Sequence, residues 1–425
     1  MAEQQQTLTL QQAIDLAVQH HTAGRLPQAE TIYQQILQRN PNQPAALHML
    51  GVVTHQTGDN DKAVDLITRA LELAPNLVEA HNNIGIVLRE LGRLDEARAR
   101  FANALDLRPD YAEARYNLGM LQLLEGDFVH GWENYAWRHK MDQHNFTKIN
   151  YRKPTWDGEA LKDRTILVHP EQGLGDSIQF VRYVPTIATL AAQVLLEVPT
   201  ELVRLFQHIK PPIQIIQPNT QIPEFDYQAS LLDLPRLLNT SLETIPTYHP
   251  YLQAPPALVN PWKERIGHPN TFRLGIVWAG NPKHRHDRDR SIDARLFRSL
   301  IGIPGITVFS LQVGRDGEAA QIFGGKVIDI APLLCDFADT AAALNNMDLV
   351  VTVDTAVAHL AGALGRPTRI LLPFVPDWRW LLERNNSPWY PTMQLLRQKQ
   401  RGDWKTAVDK VRTELSAAGS RPPTD

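Results

Sequence analysis

DLVVTVDTAVAHLAGALGRP, residues 348–367, is an apolar run, then an acid and a hydroxyl, then small residues closing on Gly365 and Pro367. The β-branched run at 349–353 predicts a buried strand, and Ala356 to Leu364 predicts a helix whose small side chains allow close packing. The chain turns between them at Asp354 and Thr355. The backbone amides of Thr355 and Ala356 then open the helix, where unpaired N–H groups and the helix dipole favour an anion. With the Thr355 hydroxyl and a face carrying His359, this loop predicts phosphate binding without a metal. For His359 the competing reading is a hydrogen-bonded structural histidine.

Outward from this loop, short apolar runs alternate with amphipathic stretches. One series begins at Thr165 with TILVHP, SIQFVRYVPTIATLA and QVLLEVP. A second begins at Arg273 with RLGIVWAG, ARLFRSLIGI, ITVFSLQ and KVIDI and runs through the opening stretch to RPTRILLP. Strands alternating with helices predict parallel sheets with right-handed crossovers. A proline-rich stretch from His249 to Pro261 separates the series. Two such halves place a cleft between the carboxyl ends of their strands, where these folds bind ligands. The plan resembles that of a GT-B glycosyltransferase.

Two further loops carry chemistry. In HPEQGLGDS, residues 169–177, Gln172, Gly173 and Gly175 form a turn that a ligand can approach closely, and Asp176 opens the next helix. A plain helix cap is the other use of Asp176. GLGDSI matches G-x-G-x-x-G only at its first two glycines, with Ile178 at the third. Glu197, ending the next strand, keeps a nicotinamide-dinucleotide enzyme open as an alternative. In WAGNPKHRHDRDRS, residues 278–291, Asn281, Lys283, Arg285, Arg288 and Arg290 with two histidines suit a diphosphate, whose oxygens accept forked bonds from arginine. A solvated charge run is the alternative there. Asp287-Arg288-Asp289 spells D-x-D, but its flanking arginines favour ion pairing over a metal.

The first third of the chain is a different material. All nine tryptophans lie at or after Trp132, and 25 of the 30 prolines lie beyond residue 130. Before that point Gly24, Gly58, Gly92 and Gly126 recur every 34 residues, as do Pro41, Pro75 and Pro109, and Ala29, Ala63 and Ala97. Gly51, Gly85 and Gly119 keep the same period. Glycine between helices relieves a turn, small residues let helices cross closely, and proline punctuates before the next helix. The pattern resembles the tetratricopeptide repeat, with three repeats and the helical start of a fourth between Leu10 and Gly126. The resemblance implies a superhelix whose concave face holds an extended peptide or protein. Asn82, Asn83 and Asn117, at exposed positions of the first helices, would grip a peptide backbone with bidentate amides. The other readings are a solvated face and an array serving only as a stabilising cap. Residues 128–157, aromatic and basic without a period, read as a junction.

GLGDSIQFVRYVP, the strand and loop around WAGNP, and VDTAVAHLAGALGRP together resemble glycosyltransferase family 9, the heptosyltransferase-like bacterial GT-B enzymes, in the branch where tetratricopeptide repeats precede the transferase. More distantly, the layout is similar to that of protein O-GlcNAc transferases and flagellin-modifying enzymes. The resemblance implies that Asp176 is a general base, that Asp354, Thr355, Ala356 and His359 hold the donor's ribose and diphosphate, and that Arg290 stands near a phosphate-contacting lysine of the family. It places Gln312, in SLQVG, against the base or ribose. Ala356 departs from the family's glycine and narrows the turn. The implied chemistry is a single displacement at the anomeric carbon, needing a nucleotide sugar as co-substrate and no cofactor. The helix in GDWKTAVDKVRTEL would cross back to the first half.

The expected fold class is therefore α plus α/β: a tetratricopeptide solenoid over 1–130, a junction over 131–160, an acceptor-side half over 161–262, a donor half over 263–414 and a tail over 415–425. A protein hydroxyl presented by the repeats is the expected acceptor, and a scaffold with a degenerate transferase domain is the competing class. Forty-three basic against 46 acidic residues, a net charge of −3, argue against nucleic acid as a partner. MAEQQQTLTLQQ has neither the charge nor the apolar stretch of a secretory signal, and no run approaches the ~20 apolar residues of a membrane span. Cys335 alone forms no intramolecular disulfide. A cytoplasmic protein is expected.

Overall fold

Helices α1 (Leu10–Thr22), α2 (Leu26–Arg39), α3 (Pro44–Thr57), α4 (Asn60–Leu73), α5 (Val78–Glu90), α6 (Leu94–Leu107), α7 (Ala112–Glu125) and α8 (Phe128–Tyr135) follow one another in the first of two units, residues 1–144 and 145–425. The computed structural model describes residues 8–141, 151, 153–211, 213–246, 248–268, 270–284 and 287–419. Arg285, His286 and the end of the tail lie outside the described residues.

The 34-residue glycines close the turn inside each pair. Gly58 and Gly126 end α3 and α7 with φ of 101° and 89°, a region that costs a residue with a β-carbon but not glycine. The second glycine series sets how closely paired helices cross. A β-carbon at Gly51, Gly85 or Gly119 would lie 2.5 Å from Ile67, Phe101 or the Tyr135 backbone nitrogen respectively. Ile67 and Phe101 are themselves fully buried, worth roughly 1.5–3 kcal/mol each in apolar surface removed from water.

The fourth pair is complete, in residues that sequence pattern alone assigns to a junction. Gly131 takes the position that Ala29, Ala63 and Ala97 hold earlier, and Tyr135 that of Ile67 and Phe101. Phe128, Trp132 and Tyr135 turn inward in edge-to-face contacts of 5.3 and 6.3 Å. The period fades in sequence there because Gly131 stands in the alanine series and Gln143 where proline closes each earlier repeat.

The second unit contains two parallel sheets. Strands β1 (Thr165–His169), β2 (Gln193–Glu197), β3 (Gln214–Ile216) and β4 (Tyr227–Ser230) are ordered β3-β2-β1-β4. Strands β5 (Phe272–Val277), β6 (Ile306–Ser310), β7 (Ile328–Asp329), β8 (Leu349–Val353), β9 (Thr368–Leu372) and β10 (Met393–Arg397) are ordered β10-β9-β8-β5-β6-β7. Counted from β5, the order is 3-2-1-4-5-6 read from the other edge, that of a dinucleotide-binding sheet. These are two Rossmann-like halves. β8 is buried along its whole length, as its apolar run requires.

Two local expectations change. The proline-rich boundary at 262/263 falls inside one helix, Pro256–Ile266, because proline suits a helix's first turn and Pro261 is accommodated within it. Trp262 of that helix donates to Asp339 Oδ1 at 3.0 Å. The helix Trp404–Gly419 packs Trp404, Val408, Val411 and Leu415 into the core of the second sheet with Leu274, Ile276 and Val353, and Arg369 pairs with Glu414 at 2.8 Å. Its apolar face is thus satisfied against the second sheet rather than by crossing back.

Candidate functional site

Strand order reverses between β1 and β4 in one sheet and between β5 and β8 in the other, and ligands of such folds bind at the carboxyl ends of those strands. The three loops singled out in the sequence leave these ends. The helix Leu174–Phe180 follows the loop after β1, and Ala356–Ala363 follows β8. Their first turns meet: a β-carbon on Gly175 would stand 2.9 Å from His359 Cδ2 and 3.5 Å from the Ala356 Cα. Glycine at 175 is what lets the two halves approach here.

Asp176 accepts a hydrogen bond from the Gly173 amide at 2.8 Å and another from the Arg379 guanidinium. Burial pushes its pKa up, while Arg379 and the Gly173 amide pull it down, leaving it raised. Arg379, on the loop after β9, also donates from Nε to Gln179 Oε1 at 2.7 Å and from Nη1 to Asp377 Oδ1 at 2.8 Å. Asp377 is held below the usual carboxylate range: burial works against this, but the charge and hydrogen bonds of Arg379 outweigh it.

His359 bonds through Nδ1 to the Tyr390 hydroxyl at 2.9 Å and stacks on Trp380, ring centroids 5.4 Å apart. Burial, helped by the charge of Arg379, lowers its pKa to about 3. It is neutral at pH 7, so its 3.9 Å approach to Asp354 Oδ1 is not an ion pair. Burial and the neighbouring charge of Asp377 raise Asp354 to about 6, against the pull of Arg290 and Arg379. Thr355 is buried, its hydroxyl 3.3 Å from that of Thr352. The amides that open the helix Ala356–Ala363 lie beside Asp354 and a neutral imidazole, within the fields of Asp377, Arg290 and Arg379. The feature that favours an incoming anion is the helix-opening amides with Arg290 and Arg379.

The basic loop after β5 divides. Arg290 lies over Gly280, where a β-carbon would meet its Nη2 at 2.6 Å, and its Nε is 3.4 Å from Asp287 Oδ1. Asp287 is also 3.8 Å from Arg315, and Asp289 lies 3.8 Å from Arg288, so these acids pair with arginines. Asn281 and Lys283 are exposed, the Asn281 side chain accepting from the Lys283 amide at 3.0 Å. Gln172 is half-buried and Gly173 exposed beside Asp176.

Several expected contacts are spent elsewhere. The Gln312 amide accepts from the Trp278 and Ala279 N–H groups at 3.0 and 2.8 Å and donates to the Ala279 and Val313 carbonyls, both at 3.1 Å. A primary amide has few bonds left after that, so Gln312 pins the loop after β5 instead of reaching for a base or ribose. Asn82 and Asn117 are buried, not exposed, and bonded to each other at 2.9 Å, while Asn83 meets His48 at 2.9 Å. These amides tie successive repeats together. Glu197 accepts from the Tyr151 hydroxyl.

Sequence reasoning did not single out Arg379, Asp377, Gln179, Arg182, Trp380 or Tyr390. Arg182 is buried, donating to the Trp389 carbonyl at 2.9 Å and the Tyr251 hydroxyl at 3.1 Å. The available signal was PDWRW, an acid and an arginine set among tryptophans just past the carboxyl end of a parallel strand.

Tetratricopeptide-repeat family models match residues 20–82, 66–99 and 85–126, and the model of glycosyltransferase family 9 (heptosyltransferase) matches residues 318–370. The chain thus joins tetratricopeptide repeats to a region like that of glycosyltransferase family 9, and the latter match spans Asp354, Thr355, Ala356 and His359. Protein FlbA of Caulobacter vibrioides is 27% identical over 314 residues, covering 67% of this chain and 52% of FlbA. The chain therefore spans about half the length of this curated relative. Among solved structures, MamA of Desulfovibrio magneticus RS-1 has 17% identity and a TM-score of 0.29, covering 32% of this chain and 78% of MamA. PilF of Pseudomonas aeruginosa has 24% identity and a TM-score of 0.29, covering 30% and 58%. No helix among the described residues is long and apolar enough to cross a membrane.

Proposed function

We propose that this glycosyltransferase-like protein moves a sugar from a nucleotide-sugar donor to a hydroxyl of a protein acceptor recognised by the repeats. The observation that carries the reading is the meeting of Asp176 with the Asp354–His359 turn at the switch points of the two sheets. The donor's diphosphate is bound by the amides of Thr355 and Ala356, the Thr355 hydroxyl and Arg290. Charge-assisted bonds of this kind are each worth roughly 1.5–3 kcal/mol. Asp176 takes the proton from the acceptor hydroxyl as its oxygen bonds to the anomeric carbon. The bond from that carbon to the diphosphate breaks, and helix amides and arginine stabilise the departing charge without a metal. Four separate repeat pairs give the acceptor protein a recognition surface distinct from the chemistry.

The test is thermal denaturation with a panel of nucleotide sugars, nucleoside diphosphates and nucleoside monophosphates, on the wild type and Asp354→Ala. At a concentration 100-fold above Kd, a true donor stabilises the wild type by about 2.7 kcal/mol, and the variant loses most of that shift. A wild type indifferent to the whole panel would overturn the reading.

A further inference from the structure

We propose that Arg379 is the positioning residue of the base, a fork supplied by one half of the transferase unit that sets the orientation and counter-charge of Asp176 on the other. This rests on the assignment of Asp176 as base and adds the residue that makes it one. Asp176 and Gln179 lie three positions apart, on one face of the helix Leu174–Phe180. Arg379 reaches both, with Nη2 on Asp176 and Nε on Gln179, while Asp377 fixes Nη1. The guanidinium is buried and lies 4.3 Å over the Trp378 ring, so its plane is set before any substrate arrives.

Gln179 supplies an independent observation. It is fully buried, its carbonyl oxygen is turned to Arg379, and its amide nitrogen has no hydrogen-bond partner among the described residues. An unmatched buried donor is unfavourable, having left water without gaining a partner. The helix carries that cost in the orientation that serves Arg379. Other charged or titratable groups around Asp176 do not replace the fork. Glu171 and Asp377 are acids that oppose its ionisation, and His359, across Gly175, is neutral. Among the described residues Arg379 is the cation in contact with Asp176, and it comes from the loop after β9. The base is therefore complete only while the two halves are together.

The test uses the full chain with 13C-labelled aspartate carboxyls, the Asp176 signal being assigned by its loss in Asp176→Asn. Arg379→Gln is expected to make Asp176 bind its proton roughly tenfold tighter or more, because an opposite charge in contact lowers an acid's midpoint by roughly 1–3 units. Asp377→Asn, which loosens one leg of the fork, should give a smaller shift in the same direction and serves if Arg379→Gln does not fold. Unmoved Asp176 midpoints in the folded variants would overturn the proposal. With whichever nucleotide sugar the melting panel identifies, the acid limb of the kcat profile should move upward in Arg379→Gln while the donor KM changes less than about threefold, and Arg379→Lys should restore part of the profile. A loss confined to KM would also overturn it. If no nucleotide sugar binds, the transferase reading falls, and the titration still decides whether Arg379 governs Asp176.

Discussion

The repeat array and the transferase-like unit are held together over different distances along the chain. In the array, Gly85 meets Phe101 within one helix pair and Asn117 bonds Asn82 one repeat away. In the second unit, Asp176 is held by Arg379, 203 residues further on, and Arg182 by the Trp389 carbonyl, 207 residues on. Local contacts make an array whose parts are stabilised by their neighbours, whereas distant ones make a site that no single segment contains. Damage should accordingly stay local in the first unit and spread through the second.

The sharpest way to break this contrast is Asp176→Asn. Donor binding should survive, measured by calorimetry, while sugar transfer falls by roughly 10²–10⁴-fold, the usual contribution of a positioned base. Transfer at the wild-type rate would remove Asp176 from that role. Next in size is Phe101→Ala, which should cost about 3–5 kcal/mol. Hydrogen exchange should find that loss in α5 to α7 and leave the parallel sheets unchanged. Faster exchange in the sheets would show that the units are not energetically separate.

A smaller effect should follow pH. Asp354 is raised in the fold from 3.8 to about 6, so folding is favoured most below pH ~4, and that advantage is lost as pH rises through about 6. Asp354→Asn avoids this cost. Denaturant titration should find it more stable than the wild type by roughly 2–3 kcal/mol at pH 8, with the gap closing toward pH 4. A gap independent of pH would mean that the acid's environment has been misjudged. Smallest is Gly119→Ala, expected to cost about 1–3 kcal/mol, since the new methyl group meets backbone that has little freedom to move.

Legibility followed the same division. A period of 34 residues exposed the turns, crossings and buried alanines of the array, and the alternation of apolar runs exposed both parallel sheets. Asp176, Asp354 and His359 were visible because each lies just past the end of a strand. Arg379 was not, because no spacing rule links residues 203 apart. Gln312 and Asn117 were read as ligand contacts because a polar side chain looks the same in sequence whether it serves a substrate or a backbone carbonyl. The second helix of the fourth repeat is hidden because Gly131 follows Ala29, Ala63 and Ala97 in register, and Gln143 follows Pro41, Pro75 and Pro109.

The matched pairs Gly51 with Ile67 and Gly85 with Phe101 also make the array modular at the level of the gene. Excising residues 58–91, one 34-residue period, joins Thr57 to Gly92 and removes α4 and α5 together. Gly51 of α3 then faces Phe101 of α6 in the place Ile67 had filled. Recombination in steps of one repeat can thus shorten or lengthen the repeat array without a new interface having to evolve, and without altering any codon of the transferase-like unit.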